Sequence, residues 1–223
     1  MSIHALKCLN LFTKMETISN RHVLSKTILG SILASHGLIN NSLTSLIPAM
    51  LISPIGSLLI KSATNIIELI INPKIGVVNS LPIIVKFVIV LMVTIGIGYT
   101  YGFGYNKYNP KDLPTKEMKA RAEPSGLIEG TLIVIACAFA FPWASKHGDV
   151  TTLIAIGIAT ALLPPLVNIG LVQGSYDADP NTYKEKHWLY DSRRYGAIIF
   201  GINAIGLVIG SIIYYLRRCH KLN

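Results

Sequence analysis

Charged positions along the chain cluster and leave long stretches without any. Between Lys26 and Lys61 no Asp, Glu, Lys or Arg occurs. A spanning helix needs about 20 apolar residues, so this run is too long for one span and slightly short for two generous ones. Its middle, Gly37-Leu-Ile-Asn-Asn-Ser42, is a cluster of turn formers. The pattern predicts a helical hairpin, with one helix near 23–39 and a second near 43–60. The next uncharged run, 87–106, closes on Tyr99, Tyr101, Tyr105 and Tyr108, an arrangement like an interfacial aromatic belt. A polar connection follows, and a fourth span is predicted near 126–145 with Glu129 close to its start. The short turn Lys146-His-Gly-Asp149 leads into a fifth span near 150–173. A sixth occupies 195–216, bracketed by Arg193-Arg194 and Arg217-Arg218.

Three segments flank or interrupt these spans. Residues 1–22 place Leu6, Leu9, Phe12 and Met15 at helical spacing among charges, as an interfacial amphipathic helix would. Residues 62–72, with Ile66, Ile67, Ile70 and Ile71 before Pro73, fit either a second interfacial segment or a continuation of the second helix. Residues 218–223 form a basic C-terminal tail.

Composition agrees with a bilayer setting. Of the 223 residues, 51% are hydrophobic and 14% charged, against about 25% charged in an ordinary soluble domain. The mean hydropathy is +0.51. These values exclude a disordered chain, a coiled coil and a soluble nucleic-acid binder. The net charge of +9 sits on residues that flank apolar runs, which suits anionic headgroups rather than DNA. No cleavable signal peptide is evident, because charges run throughout residues 1–26. With six spans, eleven of the 20 Lys and Arg residues fall on the side that holds both termini, a small bias towards cytoplasmic termini.

The two halves, about 23–106 and 126–217, can be laid over each other within a membrane domain of 23–217. Ala49-Met-Leu-Ile-Ser-Pro54 and Ala159-Thr-Ala-Leu-Leu-Pro164, followed by Pro165, both fall in the middle span of their half. Three spans per half make the second half enter from the opposite side, as an inverted repeat. The fold class expected is therefore all-α: a polytopic membrane protein of about six transmembrane helices, as two inverted three-helix repeats with Pro-broken second and fifth helices. Pro54 lacks an N–H, so the Met50 carbonyl loses its helical donor. Pro164 and Pro165 do the same to the carbonyls of Thr160 and Ala161. Freed carbonyls in hydrocarbon need protein, water or an ion as partner. Packing kinks are the other reading of such prolines.

These residues resemble a known family. Asn41-Ser42 with Ala49-Met-Leu-Ile-Ser-Pro54 looks like the N-terminal signature of domain-of-unknown-function family 389, a group of hydrophobic membrane proteins. Ala120-Arg-Ala-Glu-Pro124 with Glu129 is similar to its Ala-Arg-Thr-x-Pro segment and the acid that follows, usually Asp. Ala161-Leu-Leu-Pro-Pro-Leu166 resembles its Ala-Leu-Val-Pro-Pro-Leu, and Asn203 sits where the family tends to place an Asn. The resemblance covers about 27–215 and implies the six-span architecture. It implies no activity.

Candidate ion- or substrate-binding residues are Asn41, Ser53, Pro54, Glu129, Pro164, Pro165, Asn168 and Asn203. Glu129 is the sole acid inside a predicted span. It either reaches the headgroups and favours the helix N-terminus, or faces a cavity or pairs with Arg121. The asparagines and Ser53 either join helices by hydrogen bonds or line a polar pocket at the broken helices. His36 has no His, Cys or acid at i±3 or i±4, so no metal site is expected. Cys8, Cys137 and Cys219 are scattered, which suggests neither a disulfide framework nor zinc. Gly206-Leu-Val-Ile-Gly210 and Ala197 with Gly201 permit close helix contact, within the fold or in a homo-oligomer. No P-loop, His-Glu-x-x-His or nucleophile motif is present, so neither an enzyme nor a cofactor is expected. The reading is a membrane transporter or channel for an ion or small solute. A non-transporting oligomeric scaffold is the alternative.

Overall fold

The computed structural model describes residues 20–108, 113–122, 124–147, 152, 155–156, 161–180 and 186–220. Helix is the only regular structure among them. The helices are α1 (Asn20–Ile39), α2 (Leu43–Ile52), α3 (Ile55–Ile71), α4 (Pro73–Tyr108), α5 (Lys116–Ala120), α6 (Ser125–His147), α7 (Leu163–Ala178) and α8 (Lys186–His220). The predicted interfacial segment up to residue 19, the end of the basic tail and most of 148–160 lie outside the described residues.

The hairpin turn forms for a local reason. Asn41 takes a left-handed conformation, with φ of 52°, which asparagine tolerates better than most residues. That bend lets Ser42 N–H reach the Gly37 carbonyl at 2.9 Å and Asn40 N–H reach the His36 carbonyl at 3.1 Å. The last carbonyls of α1 are thereby satisfied before α2 begins. Gly37 is required here, because a Cβ on it would press into Leu46.

The stretch 43–71 comprises two helices. α2 stops at Ile52, and Pro54 caps α3, which then runs to Ile71. Of the two readings of 62–72, continuation of the helix is the one observed. The third predicted span lies inside a much longer helix. α4 starts at Pro73 and carries Pro82 within it. Pro73 at the first position costs no hydrogen bond, since that N–H has no helical partner anyway. α7 starts at Leu163 with its prolines in the first turn, where their missing N–H groups are equally harmless.

Among the described residues, three stretches are long and apolar enough to cross a membrane: Leu43–Ile71, Gly76–Tyr108 and Tyr190–Arg217. Gly130–Ala144 is a shorter apolar helix. Only 17% of the apolar window in Gly76–Tyr108 is buried. Val77, Val78, Leu81, Ile84, Val85, Val88, Ile89 and Met92 of this stretch are exposed. A soluble protein would not present such a surface. By length and composition, this is a membrane protein.

Packing is by close backbone approach. α4 and α7 make the most extensive contact. A Cβ on Gly98 would collide with the Val167 carbonyl, and one on Gly102 with that of Leu171. In return, Cβ atoms on Gly170 and Gly174 would collide with the carbonyls of Ile95 and Tyr99. Small residues spaced by four thus face each other on both helices, which suits lipid, where apolar surface alone gives helices no reason to associate. The predicted Gly206–Gly210 pair acts inside the fold: it packs α8 on Val134 and Ala138 of α6. α4 also touches α1 and α3, while α8 also touches α3 and α7.

Candidate functional site

The starts of α3 and α7 converge on α1. The Cβ position of Gly30 lies 3.4 Å from Leu163 Cδ2, 3.2 Å from the Ala49 carbonyl and 3.8 Å from Ser53 N. Ser53 and Pro54 precede α3. Leu163 opens α7 immediately before Pro164 and Pro165. Segments more than a hundred residues apart in sequence therefore meet at one glycine. Ala161, just before α7, is held at a φ of 40°, a conformation unusual for alanine. Pro54, Pro164 and Pro165 are all buried.

Beside this point stands an unusual hydroxyl. Thr27, Ser31 and Ser35 are spaced by four on α1 and all are fully buried. Thr27 donates to the Val23 carbonyl at 2.8 Å, and Ser35 to the Ser31 carbonyl at 2.8 Å. Ser31 Oγ makes no hydrogen bond among the described residues. The same holds for Thr94 Oγ1 of α4 and Asn168 Oδ1 of α7. These three residues have no exposed surface, and α1, α4 and α7 all pack on one another. Each bare polar atom costs about 1–3 kcal/mol. Such atoms call for a water, an ion or a solute.

The asparagines serve a second place. Asn41 Oδ1 accepts from Glu117 N–H at 3.0 Å. Asn168 Nδ2 donates to the Met118 carbonyl at 3.1 Å and to Ser192 Oγ at 3.3 Å. Thr115 caps α5 by accepting from Met118 N–H, and its hydroxyl donates to the Leu38 carbonyl at 2.6 Å. The short helix α5 is thus pinned to the α1–α2 turn on one side and to α7 on the other. Asn168 spends its amide nitrogen on this contact, while its carbonyl oxygen stays unbonded among the described residues.

The remaining candidates lie on α6 and α8. Glu129 is in the first turns of α6, with its side chain outside the described residues. Buried Asn203 of α8 places Oδ1 3.9 Å from the Cβ position of Gly130, the next residue. Arg121, offered above as a partner for Glu129, has its guanidinium 3.5 Å from Glu117.

The structure thus brings Ser53, next to Pro54, and Leu163, next to Pro164, to the same glycine, sets Asn41 and Asn168 against α5, and sets Asn203 beside α6. The sequence reading missed Gly30, Ser31 and Thr94. A signal for Ser31 existed in the four-residue spacing of Thr27, Ser31 and Ser35, but spacing does not tell which hydroxyl goes unbonded.

The family model described as Domain of unknown function (DUF389) matches residues 50–216. The chain belongs to the DUF389 family. The DUF389 match includes Ser53-Pro54 and Pro164-Pro165, while Gly30 and Ser31 lie upstream of it. No curated protein and no solved structure matches this DUF389 chain.

Proposed function

We propose that this protein moves an ion or small polar solute across a membrane, along a route past Gly30 where the two proline-led helix starts meet. The observation that carries this reading is the trio of fully buried, unbonded oxygens Ser31 Oγ, Thr94 Oγ1 and Asn168 Oδ1 on mutually packed helices. All three are neutral, and no charged side chain is among the described buried ones. Neutral oxygens suit a monovalent cation or an uncharged polar solute better than Ca²⁺ or Mg²⁺, whose sites draw on carboxylates.

Six spans as an inverted repeat complete the proposal. With α1, α2–α3 and α4 as one half, and α6, the segment ending in α7, and α8 as the other, three pairs of contacts correspond. α4 packs on α7 as α8 packs on α3, α3 on α4 as α7 on α8, and α1 on α4 as α6 on α8. A pseudo-two-fold axis relates contacts in this way. The proline-led starts of α3 and α7 are then equivalent positions. The bond between Asn41 and Glu117 also supports this topology, because six spans put both connections on one side of the membrane.

Reconstituted vesicles test the transport reading. Flux of K⁺, Na⁺, H⁺ and glycerol is measured for the wild type, Ser31→Ala and Thr94→Val. Both substitutions remove an unbonded buried hydroxyl, so stability should hold or rise. Flux of the transported species should fall at least several-fold. Unchanged flux with raised stability would leave the oxygens without a transport role.

One observation favours the alternative, a non-transporting scaffold. Asn41 and Asn168 spend hydrogen bonds on the backbone of α5, as structural asparagines do. On that reading none of the four probes crosses faster than in empty vesicles.

A further inference from the structure

A groove of about 440 Å³ runs on the outer surface where α4, α7 and α8 meet. Its walls are almost wholly apolar and include Met92, Ile95, Gly96 and Ile169. Arg193 is the one charged residue lining it. We propose that this groove holds one glycerophospholipid with an anionic headgroup, an acyl chain along α4 and the phosphate at Arg193.

Charge and setting single out this occupant. Arg193 Nη1 donates to Gln173 Oε1 at 2.6 Å, and Gln173 Nε2 donates to Asp177 Oδ1 at 2.8 Å. The neutral amide fixes the guanidinium at the groove without neutralising it. Asp177 anchors the amide and also bonds Tyr99 of the lining, so its carboxylate stands at the rim of the groove, one side chain away from Arg193. A guanidinium offers several N–H donors in a plane that matches phosphate oxygens. Arg193 lies in the first turn of the apolar stretch Tyr190–Arg217. In that position a long basic side chain meets the headgroup layer while its neighbours face acyl chains. The floor is kept open by Gly96, since a Cβ there would meet nothing within 4 Å. Met92, one turn earlier on α4, is 70% exposed. An apolar hollow beside a fixed cation has the form of one lipid molecule.

Native mass spectrometry of the full chain in mild detergent, titrated with phosphatidylglycerol or phosphatidylcholine, tests this. The wild type should bind one phosphatidylglycerol about tenfold tighter than phosphatidylcholine, because both present a phosphodiester to Arg193 but the choline ammonium of the second repels the guanidinium and cancels the headgroup's net charge. Arg193→Gln should abolish that preference. Gly96→Leu should fill the hollow and lower the occupancy of both lipids; with open space around Gly96, the variant should melt with the wild type. Equal affinity for the two lipids overturns the proposal, as does a preference that survives Arg193→Gln. Loss of a dimer in Gly96→Leu, with lipid binding intact, would assign the groove to a second copy of the chain and also overturn it.

Discussion

Leu163 places its Cδ2 3.4 Å from where a Cβ on Gly30 would stand, so α1 runs against the start of α7 with no side chain between. Ser53 N approaches the same point at 3.8 Å. One glycine thus joins the proline-bearing segments of both halves, and the site's predictions follow from it.

Substitution at Gly30 should separate stability from space. Gly30→Ala puts a methyl 3.2 Å from the Ala49 carbonyl, which needs a shift of a few tenths of an ångström. The better helix propensity of alanine, about 1 kcal/mol, offsets part of the cost. Gly30→Leu must push Ser53 and Leu163 apart and should cost about 1–3 kcal/mol. Thermal unfolding in detergent decides it; a Leu variant as stable as the wild type would contradict the packing described.

The prolines should act as a unit. Pro54→Ala and Pro164→Ala remove residues that open α3 and α7 beside the same glycine. Stability should hold while flux falls in each single variant. The double variant should lose less than the sum of the two effects in free energy, as residues sharing a network do. Additive losses would place the two prolines at separate sites.

The glycines should split into two classes. Gly170→Ala and Gly174→Ala drive a Cβ into the carbonyls of Ile95 and Tyr99, and should destabilise by about 1–3 kcal/mol or prevent assembly. Gly96→Ala and Gly104→Ala meet nothing within 4 Å and should be neutral or stabilising by up to about 1 kcal/mol. Melting temperatures of the four purified variants check this, and a reversed order would rule out the α4–α7 interface.

Membrane-impermeant thiol labelling checks the topology. In a background lacking Cys8, Cys137 and Cys219, cysteines replace three exposed residues, Lys116, Pro180 and His147. Six spans with cytoplasmic termini predict labelling from outside at 116 and 180, and at 147 only after permeabilisation. Ser175 would mislead as a probe, since it is buried and donates to the Gly102 carbonyl. Different sides for 116 and 180 would exclude six spans.

Part of the site was legible because its residues break local rules. Ser53-Pro54 and Pro164-Pro165 stand out in apolar text, since a proline inside a membrane run alters backbone hydrogen bonding wherever it is placed. Asn41 was legible as a turn residue, and its left-handed backbone is the physical cause. Its bond to Glu117 was not, because 76 residues of chain separate the two. Arg121 lies within reach of both Glu117 and Glu129 in sequence, and it pairs with Glu117 because the short helix α5 sets residues four apart on one face.

By itself the sequence determined that the chain is helical and suited to a bilayer, and it located the α1–α2 hairpin, α6 and most of α8. Uncharged stretches of spanning length have one stable form in hydrocarbon, because every backbone group must be bonded within the segment. Hydropathy could not say which faces meet. In lipid, the faces of an apolar helix are nearly equivalent, and small differences in close fit choose among them. The pairing of Gly98 and Gly102 with Gly170 and Gly174, the meeting of Ser53 and Leu163 at Gly30, and the unbonded state of Ser31 were therefore decided by tertiary packing. They depend on which backbones approach within contact distance, a relation between segments that no single stretch of sequence contains.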